Sequence, residues 1–372
     1  MSIILFIIIL ATLILVHELG HFIAAKRAGV RVDEFGIGFP PRIFSRKIGG
    51  TVYSINLFPV GGFVKIFGEN GETINSEQLI INDEIKPEKV VGGQSLTTKS
   101  RLVQAWIIAA GIIFNLVFAW ILISIGFIVG TPYSSNDSVY GAHVQNSKLV
   151  ITHVLEKSPA SLVGLNRGDR ITTLSAGANI LTVPTVETVQ KFINENDDVV
   201  ITYERGSEVQ TIFIEPENGV VDGRRAIGIS MDSIGILKLK FHEALYEGFI
   251  TTSRFTLEMF VGILGFFNDI FTGSADFSNV AGPVGIVGVV RDTAAIGFMH
   301  LLSLTALISI NLAVINFLPF PALDGGRLFF LAIEAIKRSP INPKIVNITN
   351  SIGFIFLILL MVVVTYHDIL RL

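Results

Sequence analysis

Four stretches of the chain are apolar over lengths that suit a lipid bilayer, at about 3–23, 103–130, 301–318 and 350–367. A membrane helix needs about 20 such residues, so each stretch meets or approaches a span. From Ile3 to Val16 the only polar side chain is Thr12. A further stretch, about 243–271, mixes Phe, Leu and Ile with Glu243, Glu247, Arg254, Glu258 and Asp269. Charges spaced in that way predict an amphipathic helix along the membrane surface, with a fifth span as the alternative.

Between the first two spans the pattern shortens to β-prone runs, Tyr53–Phe58 and Phe63–Ile66, parted by Pro59-Val60-Gly61-Gly62. Phe35-Gly36-Ile37-Gly38-Phe39-Pro40-Pro41 precedes them, and the whole predicts a hairpin. It is too apolar for an ordinary solvated loop. It is either a small amphipathic cytoplasmic hairpin or a sheet edge that dips beside an active site and pairs with an extended substrate. Residues 69–100 are polar and predict irregular structure. Residues of about 142–232 have ordinary hydrophobicity, with strands expected at Leu149–Leu155, Val199–Tyr203 and Val209–Ile214 and a helix at Val186–Asn194. About 90 residues of this texture make one small α+β domain.

Basic residues give the orientation. Lys26, Arg27, Arg31, Arg42, Arg46 and Lys47 follow span one, Lys99 and Arg101 precede span two, and Lys337, Arg338 and Lys344 follow span three. Loops rich in Lys and Arg stay cytoplasmic. The N-terminus, the inserted domain and the C-terminus are then outside, and spans one and three run from outside to inside. The first span reads as retained rather than as a cleaved signal peptide, because its start lacks a basic segment and its end carries chemistry.

That chemistry is His17-Glu18-Leu19-Gly20-His21. An ionisable group inside a membrane helix costs roughly 2.5–3.5 kcal/mol on insertion scales, which makes a functional reason the default. Positions i and i+4 share a helix face, so His17 and His21 can grip one ion while Glu18 sits one step round the helix. This is the H-E-x-x-H zinc pattern, with Glu as general base. Span three ends Asn316-Phe317-Leu318-Pro319-Phe320-Pro321-Ala322-Leu323-Asp324-Gly325-Gly326-Arg327. Its prolines break the helix near the depth of the histidines. A catalytic zinc takes three protein ligands and keeps one position open. On spacing alone Asp324 is either that third ligand or a capping residue in a turn.

HELGH together with NFLPFPALDGG resembles the site-2 protease family of intramembrane zinc metalloproteases, and the inserted domain resembles the bacterial RseP type with one PDZ domain. The segment Ser158-Pro159-Ala160, followed by Gly164-Leu165 and by Gly168-Asp169-Arg170-Ile171, is similar to a PDZ signature. The resemblance covers nearly the whole chain. It implies His17, His21 and Asp324 as zinc ligands, Glu18 as catalytic base, and Asn316 near the substrate. It also implies that the hairpin, with Gly61 and Gly62, aligns the substrate strand. Gly111 and Asn115 keep two positions of a motif in span two, with Ile112 where the family usually has Pro, and Asn115 is grouped with the substrate contacts. Arg327 stands where His is frequent. In a circularly permuted PDZ domain Ala226-Ile227-Gly228-Ile229 falls at the carboxylate-binding loop, so Gly228 is a candidate for holding a peptide C-terminus by β-augmentation. The domain could equally serve only as a plug or spacer.

The expected fold is a multi-span α-helical membrane protein of four transmembrane helices with a cytoplasm-side β-hairpin and an inserted α+β PDZ domain. Its parts are 1–140, 141–235 (PDZ), 236–299 (amphipathic) and 300–372. The expected activity is endoproteolysis within transmembrane segments, dependent on Zn2+, in a bacterial inner (plasma) membrane. Expected partners are the lipid bilayer, single-span substrates already cut outside, such as anti-sigma factors or remnant signal peptides, and protein C-termini at the PDZ domain. The net charge of −3 gives no sign of nucleic-acid binding, and the absence of cysteine excludes disulfides, thiolate zinc sites and a thiol nucleophile. A non-cleaving PDZ scaffold or pseudoprotease would be expected to have lost a ligand or Glu18, and all four residues are present. A zinc transporter suits ligands clustered near one end of two helices, beside a general base, poorly.

Overall fold

The computed structural model describes residues 2–69, 94–136, 140–206, 208–221, 224–274 and 282–370. The chain forms two compact units, Met1–Gly126 with His242–Leu372, and Phe127–Phe241. Most of the polar stretch 69–100 lies outside the described residues.

The first span is helix α1 (Ser2–Arg27). Thr12, its one polar interruption before the histidines, donates its hydroxyl to the carbonyl of Ile8 at 2.8 Å and so leaves no unsatisfied group. The hairpin follows as β1 (Val32–Ile48) and β2 (Thr51–Ile66). Its register is more folded than a simple hairpin. Val32–Ile37 pairs on one side with Gly62–Ile66 and on the other with Val52–Ile55, and residues 42–48 pair with 51–56. The result is four extended stretches in the order 62–66, 32–37, 52–56, 42–48. A methyl group on Gly61 would sit 3.1 Å from the Phe39 ring and 3.3 Å from Ile14, so the tip of this sheet reaches a point well inside α1. Ile14 is 13 residues from Arg27, about 20 Å along a helix. Phe39, Ile43, Phe44, Ile55, Leu57 and Phe58 are exposed on the sheet.

Helix α2 (Arg101–Val129) is the second span. It crosses α1 closely, because a Cβ on Gly20 would run into the carbonyl of Ala110.

The second unit carries β3 (Thr131–Ser134), β4 (Gln145–Val154), α3 (Pro159–Leu162), β5 (Arg170–Ala176), β6 (Asn179–Leu181), α4 (Val186–Glu195), β7 (Val199–Arg205), β8 (Glu208–Ile214), β9 (Glu217–Val221), β10 (Arg224–Ala226) and β11 (Ile229–Leu237). The sheet order is β3-β11-β4-β5-β7-β8, with β6 on β5 and a separate β9–β10 ladder. The expected strands and helix coincide with β4, β7, β8 and α4, except that Leu155 lies one residue past the end of β4. Their inward positions Leu149, Ile151, Val189, Ile193, Ile201 and Ile214 are buried in one core. A capping box of Thr185 and Thr188 starts α4. The unit is wider than the expected 141–235, because β3 pairs with the end of β11 and draws the preceding segment into the sheet.

The chain continues through α5 (Phe241–Thr272), α6 (Pro283–Ile296), α7 (Phe298–Phe317), α8 (Asp324–Lys337) and α9 (Pro343–Leu370). Five helices among the described residues, α1, α2, α5, α7 and α9, are long and apolar enough to cross a membrane. The expected surface helix 243–271 is the continuous α5, and it packs lengthwise on its neighbours. The Trp120 indole donates to the carbonyl of Leu245 at 2.8 Å, Phe255 and Met259 pack on a core from α2 and α7, and Phe260 meets Phe317. Near the far end of α9, the buried Asp368 accepts from the backbone N–H of Gly282 and Gly285 and caps α6.

Asp169, 1 % exposed, explains why the Gly-Asp signature belongs to the second unit's core rather than to its surface. It accepts from the backbone of Asn166 at 2.8 Å and from the Arg205 guanidinium at two positions, both at 2.7 Å. Asp169→Ala strands these donors and is expected to cost this unit about 1.5–3 kcal/mol. Thermal unfolding should show a lowered midpoint, while Lys148→Ala at an exposed site should leave it unchanged.

Candidate metal centre and catalytic cavity

Span one does not deliver the metal site by itself. His17 and His21 project from one face of α1 toward α2, and their fit depends on Gly111. A methyl group there would lie 2.8 Å from the His17 ring and would run into Nε2 of His21. The carbonyl of Ile107 lies 2.9 Å from Nδ1 of His21. A carbonyl can only accept, so that nitrogen carries the proton and Nε2 presents its lone pair.

Asp324 arrives by a different route. Pro319 and Pro321 end α7, Ala322 adopts a left-handed φ of +73°, and Leu323 takes the N-cap position of α8. Asp324 is therefore the first residue of a new helix and not its cap. Gly325 and Gly326 let that helix fold back, because a Cβ on either would collide with carbonyls of Phe317, Leu318 or Phe320. The Asp324 side chain is thereby aimed at the imidazoles. Its Oδ2 lies 2.9 Å from Nε2 of His17 and 3.2 Å from Nε2 of His21, and the two imidazole nitrogens are 3.2 Å apart. Zinc bonds of about 2.0–2.1 Å put tetrahedral corners about 3.3 Å apart. Two imidazole nitrogens and a carboxylate oxygen at nearly that spacing fit one small divalent cation, once each nitrogen presents its lone pair to it.

Glu18 borders the same cavity of about 180 Å³, together with Phe63, Val64, Glu69 and Arg327. No hydrogen bond fixes its carboxylate among the described residues. Gly62 lies beside it, with a Cβ position 3.8 Å from Cγ of Glu18. The strand edge at 62–66 thus borders the site, while Gly61 sits at the sheet tip against Ile14. Arg327 pairs with Glu69 and ties the end of β2 to the first turn of α8.

Other expected site residues fall elsewhere. Asn115 is 0 % exposed and packs behind His17, with Nδ2 3.3 Å from its Nδ1. That corrects the expectation of a substrate contact, since nothing entering the cavity can reach a fully buried side chain on the far side of the imidazole. Asn316 is half-buried on the last turn of α7 and is absent from the cavity lining. Gly228 belongs to the second unit, where its φ of +80° and its packing on Ser158 exclude a side chain. It borders a groove of about 390 Å³ between α4 and the start of β11. Sequence reasoning missed Glu69, the carbonyl of Ile107 and the packing role of Gly111. Glu69 opens a polar run without periodicity, and a main-chain acceptor leaves no mark in side-chain identity.

Two imidazoles and a carboxylate close enough to hold one ion, with a further carboxylate beside them on an apolar helix, are the side chains a membrane-embedded metallopeptidase needs. Peptidase family M50 matches residues 5–360. Zinc metalloprotease RasP of Bacillus licheniformis is 32 % identical, with 100 % of this chain and 99 % of that protein covered. The regulator of sigma-W protease RasP of Bacillus subtilis is also 32 % identical, over 100 % and 99 %. A putative zinc metalloprotease of Clostridium perfringens is 32 % identical over 97 % and 96 %. The crystal structure of the PDZ domain of an SdrC-like protein from Listeria monocytogenes covers 24 % of this chain and 90 % of its own, at 23 % identity and a TM-score of 0.20. The chain belongs to peptidase family M50. It is a zinc-dependent intramembrane metalloendopeptidase, and the site-2 protease resemblance holds.

Gly111→Ala is expected to push the imidazoles off their shared point. Displacements near 1 Å cost about 100-fold in rate, so cleavage of a membrane peptide should fall by about that factor. Gly126→Ala, in a part of α2 with open space at the Cβ, should keep wild-type turnover.

Proposed function

We propose that His17, His21 and Asp324 hold the zinc and that Glu18 is the general base. The convergence of the three ligand atoms beside Glu18 carries this reading. When bound, zinc supplies a Lewis acid that polarises the scissile carbonyl and acidifies water. Glu18 takes the proton of the attacking water and passes it to the leaving amine, a role worth roughly 10²–10⁴-fold. A helical substrate must first unwind, because its peptide bonds are shielded by their own hydrogen bonds. The 62–66 edge offers the freed N–H and C=O groups partners that lipid cannot. Asn316, one helix turn before the break in α7, is proposed to contact the substrate from the other side.

We also propose a bacterial plasma membrane location, with the hairpin on the cytoplasmic side and the second unit outside. The C-terminal ends of α1 and α7 meet at one site, so the two helices run in the same direction. The chain between α2 and α7 then crosses the bilayer an even number of times. Four spans satisfy this, with α5 packed against α2 and α7 without changing the side from which α7 begins. The second unit acts as a PDZ domain. The carbonyls of Ile227 and Gly228 are taken up by Ala160 and Leu155. The next amides, of Gly228 and Ile229, are thereby turned away from those partners, toward the groove where a peptide carboxylate would lie. Substrates are single-span membrane proteins already trimmed outside. The name of the Bacillus subtilis relative favours anti-sigma factors among them.

Glu18→Gln should retain zinc near one per chain and lose about 10²–10⁴-fold in peptide turnover. Asp324→Asn should lose zinc and turnover together. Metal analysis and a cleavage assay on purified protein separate the roles; wild-type turnover in Glu18→Gln would refute the assignment of the base. Orientation is tested separately, on a chain that has no cysteine of its own. Ala178→Cys should react with an impermeant maleimide on intact cells, and Thr97→Cys should react only after lysis.

A further inference from the structure

A histidine that gives its Nε2 lone pair to a metal carries its proton on Nδ1, and that N–H needs an acceptor when buried. For His21 the acceptor is the Ile107 carbonyl, 2.9 Å away. For His17 the group at hand is the Asn115 side chain, whose Nδ2 is 3.3 Å from Nδ1. Both residues are buried, Asn115 completely. In this orientation the amide presents a donor to a nitrogen that must itself donate. The amide oxygen, Oδ1, is meanwhile buried with no hydrogen-bond partner among the described residues. The backbone of Asn115 is fixed, since its carbonyl accepts from the buried Ser309 hydroxyl of α7 at 2.8 Å. Only the amide is free to turn over, and its two orientations have nearly the same shape.

We infer that Asn115 is a positioning residue of the metal centre, its amide turned so that Oδ1 accepts the Nδ1–H of His17 and holds Nε2 toward the zinc. This rests on the ligand assignment proposed above and extends it to α2. Turning the amide replaces two opposed donors by one hydrogen bond and leaves a single unpaired NH₂ group. Together with Ile107 it makes α2 the element that sets the tautomer of both histidines. Asn115 touches neither substrate nor metal. Its effect is to fix the ring plane and raise the basicity of the ligating nitrogen.

The test is zinc affinity, measured by competition with a chromophoric chelator on purified full-length protein, alongside the thermal midpoint of the metal-free protein. Partners of this kind contribute about 10–100-fold to metal affinity. Asn115→Leu keeps the volume and removes the acceptor, and should weaken zinc by that factor with little change in the metal-free midpoint. Asn115→Asp is an acceptor only, and should hold zinc as tightly as wild type or more so. If Asn115→Leu fails to fold, the Asp variant decides alone, because a carboxylate cannot serve if the native amide donates. Wild-type affinity in Asn115→Leu overturns the inference while leaving the ligand set intact, as does a tenfold loss in Asn115→Asp. A wild-type protein without zinc would instead sink the ligand assignment.

Discussion

Everything in the membrane unit answers to one constraint: two imidazoles on α1 and one carboxylate on α8 must be held at about van der Waals distance in a medium that solvates none of them. Buried polar groups without partners are costly, and in lipid the cost is not relieved by water. The packing that meets the constraint uses glycine wherever backbones approach. Gly20 and Gly111 let α2 close on the HELGH face, and Gly325 and Gly326 let α8 fold back on α7. A bound cation would supply the positive charge that the three converging groups lack.

The hairpin answers a second demand of the same medium. Its tip lies beside Ile14, and Phe, Ile and Leu side chains are exposed on the sheet alongside Arg42, Arg46 and Lys47, while Glu34 is held by Arg42 and Ser54. The backbone is paired along most of the sheet. The stretch 62–66 pairs with 32–37 on one side and borders the catalytic cavity on the other, which suits a peptide that has lost its helical hydrogen bonds. The Arg327–Glu69 pair joins this strand to the helix that carries Asp324. Strand and the proposed ligand Asp324 are thereby held in register with each other.

The parts that were legible in the sequence are those where a residue's chemistry conflicts with its surroundings. His17, Glu18 and His21 stand out because an apolar span has no bland use for them. Asp324 was legible as a candidate, but Leu323, not Asp324, proved to be the cap, and only the prolines and the left-handed Ala322 decide that. Alternation gave β4, β7, β8 and α4 of the second unit, whereas β3 joined it through a pairing that four residues of local pattern cannot announce. The charges of α5 suggested a surface helix, yet its packing on α2 and α7 depends on the Trp120 contact and on a Gly248 that lies against Ser124. Asn115 was legible as a polar residue in a span and was misassigned, because the sequence does not say on which side of His17 it stands.

The central claim is that α1 and α8 share one zinc ion. X-ray absorption at the zinc edge of the purified full-length protein tests it most directly. The account predicts one zinc per chain with four light-atom neighbours at about 2.0–2.2 Å, including the multiple-scattering signature of two imidazoles. In Asp324→Asn the metal should be lost or its first shell rebuilt. A shell of three or more imidazoles, or an unchanged spectrum at full occupancy in Asp324→Asn, would contradict it.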